Sequence, residues 1–349
     1  MPNPGPTPFE RAVVSGGMIR PLHGIRGAAA CTVVAGHYGI IKGTPSLGVV
    51  LFFVLSGFLI GKLYLGRTFD RAEVWSYVVA RFARVYPLFA VVIVGVALLN
   101  ATVPGADVFM LRGSDVLPHL LLVGGAMTVW TICAEFQFYA IFIAIWALRS
   151  RVRNALWVLL PVLLFSSASA VLAGSDAGRV DIFSYLHVFT LGLLIANLPT
   201  TESARTARLA GLALPSFVIL YAAVFLLAPR FHAERAIYIN PVALFACVGM
   251  LWASLHAGEN WLNRLLSIPL AYWLGEISFG IYLLHRPAGW LVDASVGDWS
   301  GWIKMPLRIG LTLLMAQLAF MVIEKPARDA IRRWGEGRVR VAKPVAHPG

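Results

Sequence analysis

The sequence predicts an all-α integral membrane protein with about ten transmembrane helices and with its N-terminus and C-terminus in the cytoplasm. Three observations lead to this fold class: few charged residues, apolar runs of spanning length, and lysine and arginine concentrated in alternate loops. Of the 349 residues, 58% are hydrophobic and only 13% are charged. A soluble domain carries about 25% charged residues, so this composition is typical of a chain embedded in a lipid bilayer.

Ten apolar runs approach the roughly 20 residues that a helix needs to cross the hydrocarbon core. They lie at about 25–41, 47–65, 85–103, 130–148, 155–173, 182–198, 209–228, 237–256, 268–291 and 306–323. These runs predict a single transmembrane domain over 20–333, preceded by a flexible tail at 1–19 and followed by a disordered basic tail at 334–349. A further stretch, 116–127, contains Pro118 and is predicted to be interfacial or re-entrant.

Lysine and arginine are distributed unevenly between the two sides that ten spans define. One side, which includes both termini, holds 20 of these residues in its segments, and the opposite loops hold 7. Because short cytoplasmic loops are enriched in Lys and Arg, this asymmetry predicts cytoplasmic termini.

The net charge of +12 does not predict a nucleic-acid partner, because the basic residues lie in short loops between apolar runs. The three cysteines, Cys31, Cys133 and Cys247, all fall in apolar segments, and an odd number does not favour a disulfide framework. No histidine or carboxylate pair has convincing ligand spacing, so no metal is expected.

Two ionisable side chains lie in the first apolar run, Arg26 and His37. Eleven residues of helix turn the chain about 20° past three full turns and rise about 16 Å, so both side chains share nearly one face. Ionisable groups at such depth are costly in lipid and mark a functional site by default. A substrate that is anionic at one end and reactive at the other would suit this spacing, although Arg26 could simply reach lipid head groups.

A second pair of cations, Arg81 and Arg84, precedes the third span, and Glu135 lies in the fourth. Two arginines three residues apart share a helix face and can grip phosphates, or they can serve as ordinary positive-inside anchors. The predicted orientation brings Glu135 to the same outer depth as His37, where a carboxylate would orient the imidazole and raise its basicity.

Several motifs along the chain resemble those of acyltransferase family 3, polytopic membrane proteins that O-acylate sugars and surface glycans. The resemblance covers about residues 20–333. It is carried by PLHGIRG at 21–27 with His37, LFFVLSGFLI at 51–60, RFARVYPL at 81–88, WTICAEFQFY at 130–139, LGEISFGIYLLH at 274–285 and EKPAR at 324–328.

The resemblance implies an acyl-CoA donor and a role for each candidate residue. Arg26, Arg81 and Arg84 would bind the donor, and His37 and Glu135 would serve acyl transfer. It also implies a multi-pass protein of the cell (inner) membrane, whose partners are acyl-CoA, a carbohydrate or glycan acceptor and the lipid bilayer. The roles of His23, His187 and His285, the oligomeric state, the acyl chain length and the acceptor stay open.

The functional prediction is a membrane-bound O-acyltransferase that moves an acyl group, acetyl or another short one, from cytoplasmic acyl-CoA to a hydroxyl of a sugar or glycan. An alternative is a transporter of an organic or lipid-linked anion, with the buried His and Glu as a proton relay. The absence of a recognisable inverted repeat weighs against that alternative. A catalytically inactive homologue is a third reading.

Overall fold

A computed structural model of the protein describes residues 19–125, 127–152, 154–173, 181–198, 203–231 and 236–342. Over these ranges the regular secondary structure is helical throughout, without a β-strand. The predicted all-α class is therefore confirmed. Apart from Ile19, where the first helix begins, the predicted N-terminal tail lies outside the described residues.

The α-helices of the described ranges are, in chain order, α1 (Ile19–His37), α2 (Ser46–Tyr64), α3 (Arg71–Thr102), α4 (Gly113–Leu120), α5 (Trp130–Arg151), α6 (Leu156–Ala173), α7 (Leu186–Asn197), α8 (Ala204–Leu227), α9 (Pro241–His256), α10 (Trp261–Leu266), α11 (Pro269–Glu276), α12 (Ser278–Val296), α13 (Gly301–Ala319) and α14 (Lys325–Ala342). A turn of π-helix, Phe320–Glu324, joins α13 to α14.

Five helical segments in the described part of the chain are long and apolar enough to cross a bilayer. They are α2, α3, α5, α8 and the continuous segment Gly301–Gly335. The helices α6, α7 and α9 are apolar but shorter. Membrane character is thus supported, and the count of ten spans stays a prediction.

The predicted span 268–291 is two helices rather than one. Helix α11 ends at Glu276 and α12 begins at Ser278. The Ser278 hydroxyl donates a hydrogen bond to the carbonyl oxygen of Gly275 at 2.8 Å. Serine side chains that bond nearby backbone groups compete with the helical ladder, which accounts for the interruption.

Helix α14 continues to Ala342, into the stretch 334–349 for which the sequence predicts a disordered tail; the tail stays a prediction. The middle of α14 packs on α3, with the rings of Trp334 and Trp75 at 5.8 Å between centroids. Gly335 lies so close to Val79 that an added Cβ would be 2.7 Å from that side chain. This packing stabilises a helix where composition alone indicated a solvated chain; residues 343–349 lie outside the described ranges.

The chain divides into two compact units, each discontinuous in sequence. Unit 1 comprises residues 1–66 and 152–282, and unit 2 comprises residues 67–151 and 283–349. Unit 1 therefore contains α1, α2, α6 to α11 and the first turn of α12, whereas α3 to α5, the rest of α12, α13 and α14 belong to unit 2. The prediction of one transmembrane domain over 20–333 stays a prediction.

Close helix contacts through small residues build the core of unit 1. A Cβ on Gly57 of α2 would collide with the carbonyl oxygen of Phe189 in α7, and a Cβ on Gly192 of α7 would collide with that of Val54. One turn further along α2, a Cβ on Gly61 would lie 2.7 Å from the Cβ of Ala196. Small residues at four-residue spacing let helix backbones approach closely in membranes.

Aromatic side chains build the core of unit 2. Tyr77 of α3 and Trp146 of α5 are almost completely buried. The Tyr77 hydroxyl donates to the carbonyl oxygen of Tyr139 at 3.0 Å, and the indole N–H of Trp146 donates to that of Arg67 at 3.2 Å. These bonds hold α5 beside α3 and set the position of the candidate residues on both helices.

Candidate functional site

Arg26 and His37 lie on one uninterrupted helix, as the sequence predicts. Both residues belong to α1 and both are half-buried. Because α1 is regular between them, their Cα atoms are separated by a rise of about 16 Å along the helix axis and lie on nearly one face.

A glycine cap places His37 in the last turn of α1. The amide of Ile40 donates to the carbonyl oxygen of Ala35 at 3.0 Å, and that of Gly39 donates to Gly36 at 3.2 Å. Gly39 has a φ of 67°, the left-handed conformation that glycine adopts without strain. This pair of bonds is the Schellman motif, which ends the helix four residues before the predicted end of the span at 41.

Arg81 and Arg84 lie on α3 and face a polar cluster inside unit 2. Arg81 is only 8% exposed. Arg84 interacts electrostatically with Arg81, with Glu135 and Tyr139 of α5, and with Glu324. Two carboxylates, those of Glu135 and Glu324, thus lie within electrostatic reach of Arg84; whether the two arginines bind a donor or anchor the helix stays a prediction.

Glu135 accepts a hydrogen bond from a residue one turn along α5. The Tyr139 hydroxyl donates to Oε1 of Glu135 at 2.5 Å. Residues four apart on a helix are neighbours on its surface, so the sequence holds this signal, but the sequence prediction did not use it. The phenol restricts the orientation of the carboxylate, and Arg84 lies within electrostatic reach of it.

Glu324 joins the same cluster from the π-helical turn that follows α13. It is 9% exposed and lies within electrostatic reach of Arg84. The sequence predicts that Glu324 lies at the interface or pairs with a nearby cation, but it does not reveal which one. Single π-helical turns occur frequently at functional sites.

The structure brings together three of the five predicted site residues, namely Arg81, Arg84 and Glu135, in unit 2. The other two, Arg26 and His37, belong to unit 1. The predicted pairing of His37 with Glu135 stays a prediction, as do the catalytic and donor-binding roles of all five.

The remaining histidines of interest are packed into the protein. Nε2 of His187 lies 2.7 Å from the carbonyl oxygen of Tyr238, and this residue is 2% exposed. His285 is fully buried in α12, and the ring of His23 packs on Tyr272 at 4.5 Å. None of the described His, Cys, Asp and Glu residues form a group of three or more that is placed to hold a metal ion.

Comparison with known proteins gives one family match that covers most of the chain. The family model of the acyltransferase domain, acyltransferase family 3, matches residues 20–324. No solved structure matches the chain.

Three relatives are similar over nearly the whole chain. The peptidoglycan O-acetyltransferase OatA of Listeria monocytogenes is 23% identical over 88% of this chain and 55% of its own length. A candidate membrane-bound transacylase of Komagataeibacter xylinus, BcsY, is 26% identical over 89% and 83%. A candidate peptidoglycan O-acetyltransferase of Bacillus subtilis, YrhL, is 28% identical over 88% and 54%. The chain thus spans about half the length of the two peptidoglycan O-acetyltransferases.

The family match begins in the first turn of α1, ends at Glu324 and takes in both sets of candidate residues. Its extent, together with the ordered motifs, shows that the chain belongs to acyltransferase family 3.

Proposed function

We propose that the protein is a membrane-bound O-acyltransferase that moves an acetyl or another short acyl group from cytoplasmic acyl-CoA to a hydroxyl of a sugar or cell-surface glycan. The observation that carries this proposal is the pair Arg26 and His37 on one face of α1, in a chain of an acyltransferase family. A cation and a proton acceptor at that separation suit a donor that is anionic at one end and carries a thioester at the other.

Each candidate residue has a role in this reaction. Arg26, Arg81 and Arg84 bind phosphate oxygens of the donor, since guanidinium groups form charge-assisted and bidentate bonds to phosphate. His37 takes the proton from the acceptor hydroxyl as its oxygen attacks the thioester carbonyl. The C–S bond then breaks, and the coenzyme leaves as a thiol with the proton that the imidazolium returns. A positioned base of this kind contributes typically about 10²–10⁴-fold in rate.

Glu135 serves acyl transfer in this proposal as the second catalytic residue. Its carboxylate accepts a hydrogen bond from the Tyr139 hydroxyl, which restricts its orientation.

The proposed location is the inner membrane of the cell. The proposed topology has ten spans, with both termini in the cytoplasm. The excess of 20 over 7 lysines and arginines on the side of the termini supports it. In this orientation Arg26, Arg81 and Arg84 lie in the cytoplasmic halves of α1 and α3, on the side from which acyl-CoA is available.

The acceptor is proposed as a glycan because OatA and YrhL carry peptidoglycan O-acetyltransferase in their names. Mass spectrometry of surface glycans from a deletion strain identifies it. An O-acyl ester that disappears with the gene and returns with a plasmid copy is the expected result.

The catalytic assignment is tested with His37→Ala in protein purified in detergent. The variant is expected to lose acceptor-dependent release of coenzyme A from acetyl-CoA and to keep normal membrane insertion. His256→Ala is the matched control, because its ring stacks on Trp252 and Nδ1 lies 2.8 Å from the Trp252 carbonyl oxygen on the same unit. Full activity of His37→Ala refutes the assignment, and solute flux in vesicles without acyl transfer supports a transporter instead.

A further inference from the structure

A polar cavity of about 530 Å³ lies in unit 1 beside the first turn of α1. Its walls come from that turn and from the segment that contains the end of α9 and all of α10. Small-molecule sites have volumes of roughly 300–1,000 Å³. The charge distribution predicts that both wall segments face the cytoplasm.

Two guanidinium groups line this cavity, those of Arg20 and Arg264. Arg264 also forms an ion pair with Glu259 at 3.5 Å, in which the two side chains are 71% and 92% exposed. Exposed ion pairs contribute little to stability. Arg264 can therefore exchange this carboxylate for a stronger anionic partner such as a phosphate.

The other walls of the cavity suit a flat heterocycle. Leu22 and Leu255 supply apolar surface, and Ser267 also lines the cavity. The Glu259 carboxylate is an acceptor only, so it matches an exocyclic amine. The apolar walls and the one carboxylate acceptor fit a purine base. The two cations beside them fit a phosphate on the ribose of the same nucleotide.

Hydrogen bonds within the protein hold the residues around the cavity in place. Nδ2 of Asn263 donates to the carbonyl oxygens of Ser254 and Gly258 at 2.8 and 2.9 Å. Oδ1 of Asn263 accepts from the Ser254 hydroxyl at 2.8 Å. Asn263 is 5% exposed, so the loop is built in one conformation, which lowers the entropic cost of binding.

We propose that this cavity binds the 3′-phosphoadenosine end of the coenzyme A donor, with Arg20 and Arg264 on the 3′-phosphate; the inference rests on the proposed function in taking acyl-CoA as the donor. Along α1, Arg20 precedes Arg26 by a rise of about 9 Å and His37 by about 26 Å. The order Arg20, Arg26, His37 is the order of ribose phosphate, diphosphate and thioester along the donor.

The experiment measures nucleotide binding to the full chain in detergent, with adenosine 3′,5′-bisphosphate and adenosine 5′-monophosphate as probes. The unmodified protein is expected to bind the bisphosphate about tenfold or more tightly than the monophosphate, because the 3′-phosphate forms charge-assisted hydrogen bonds. The quantity compared between variants is this ratio of the two affinities. Arg20→Gln and Arg264→Gln are each expected to bring this ratio close to one. Arg205→Gln, which removes an exposed arginine from the start of α8 in the same unit, is expected to keep it.

Two outcomes overturn the inference: equal affinities of the unmodified protein for both probes, or an unchanged ratio in both variants. Acetyl transfer from saturating acetyl-CoA is measured in parallel and separates the two proposals. If the unmodified protein transfers acetyl groups but the affinity ratio does not change on substitution of Arg20 or Arg264, the O-acyltransferase proposal stands and the nucleotide site is refuted. If the affinity ratio depends on both arginines but no acetyl group is transferred to any acceptor, the nucleotide site is supported and the acyltransferase proposal is refuted.

Discussion

The hydroxyl of Tyr139 and the guanidinium of Arg84 act on one carboxylate, that of Glu135. A carboxylate close to apolar surroundings is costly unless it is paired and hydrogen-bonded. Here the Tyr139 hydroxyl supplies a hydrogen bond, and Arg84 lies within electrostatic reach. The Tyr139 hydroxyl restricts the orientation of the Glu135 carboxylate, and in the proposed mechanism Tyr139 is a positioning residue.

Replacing Tyr139 by Phe tests this role. Hydrogen bonds to charged groups contribute about 1.5–3 kcal/mol, so we expect kcat to fall by roughly 10–100-fold. The measurement is acceptor-dependent release of coenzyme A across a range of pH, where a shifted rate profile indicates a changed environment of the base.

Tyr86→Phe is the control for this variant, since its hydroxyl donates to the carbonyl oxygen of Leu120 at 3.1 Å in the same unit. If Tyr139→Phe and Tyr86→Phe have the same rates at every pH, Tyr139 has no positioning role.

The end of α1 determines the position of His37, and close helix contacts build the unit to which it belongs. The Schellman motif at Gly39 ends α1 just after His37, so the imidazole lies at the helix terminus rather than one turn inside. On α2, the two glycines of the Gly57-Phe-Leu-Ile-Gly61 run meet small residues of α7, and this contact forms the centre of unit 1.

Substituting Gly57 by Ala is expected to destabilise the protein. The added methyl group would collide with the carbonyl oxygen of Phe189, and overpacking of a close contact costs typically about 1–3 kcal/mol. The unfolding temperature in detergent, followed by tryptophan fluorescence, is expected to fall.

Gly95→Ala in α3 is the matched control, because an added Cβ has no neighbour within 4 Å there. Alanine favours a helix over glycine by about 1 kcal/mol, so this variant is expected to be neutral or more stable. A Gly57→Ala protein that unfolds at the same temperature as Gly95→Ala contradicts the close packing of α2 on α7.

The predicted site residues are shared between two compact units of the molecule. Arg26 and His37 belong to unit 1, and Arg81, Arg84 and Glu135 belong to unit 2. Both units are assembled from segments distant in sequence, so neither is a separable piece of chain. The proposed reaction therefore needs the whole protein, and truncation at either unit boundary removes part of the proposed machinery.

Orientation in the membrane is a property of the whole molecule. Reporter fusions to the C-terminus are expected to give fluorescent green fluorescent protein and inactive alkaline phosphatase, because the positive-inside asymmetry places that end in the cytoplasm. The same reporters fused after Lys42, in the loop after α1, are expected to behave in the opposite way. Active phosphatase at the C-terminus contradicts the proposed topology.

The sequence predicts the helical class, the positions of most helices and the candidate residues Arg81, Arg84 and Glu135, because hydropathy and motif spacing are local properties of the chain. It pairs Glu135 with His37 and does not predict that Arg84 lies near Glu135. The break at Ile277 and the helix over 334–342 were not predicted. The first depends on a serine that bonds a backbone carbonyl, and the second on two tryptophans that meet only after folding.

The sequence by itself determined the all-α class, through its composition and apolar runs. It also determined that Arg26 and His37 share one helix face, because helical periodicity fixes which side chains share a face. Only the folded chain decided that Glu324 joins Arg84 and Glu135, and that Arg20 and Arg264 line one cavity. In both cases the partners are remote in sequence, and their proximity depends on how helices pack rather than on any pattern within one helix.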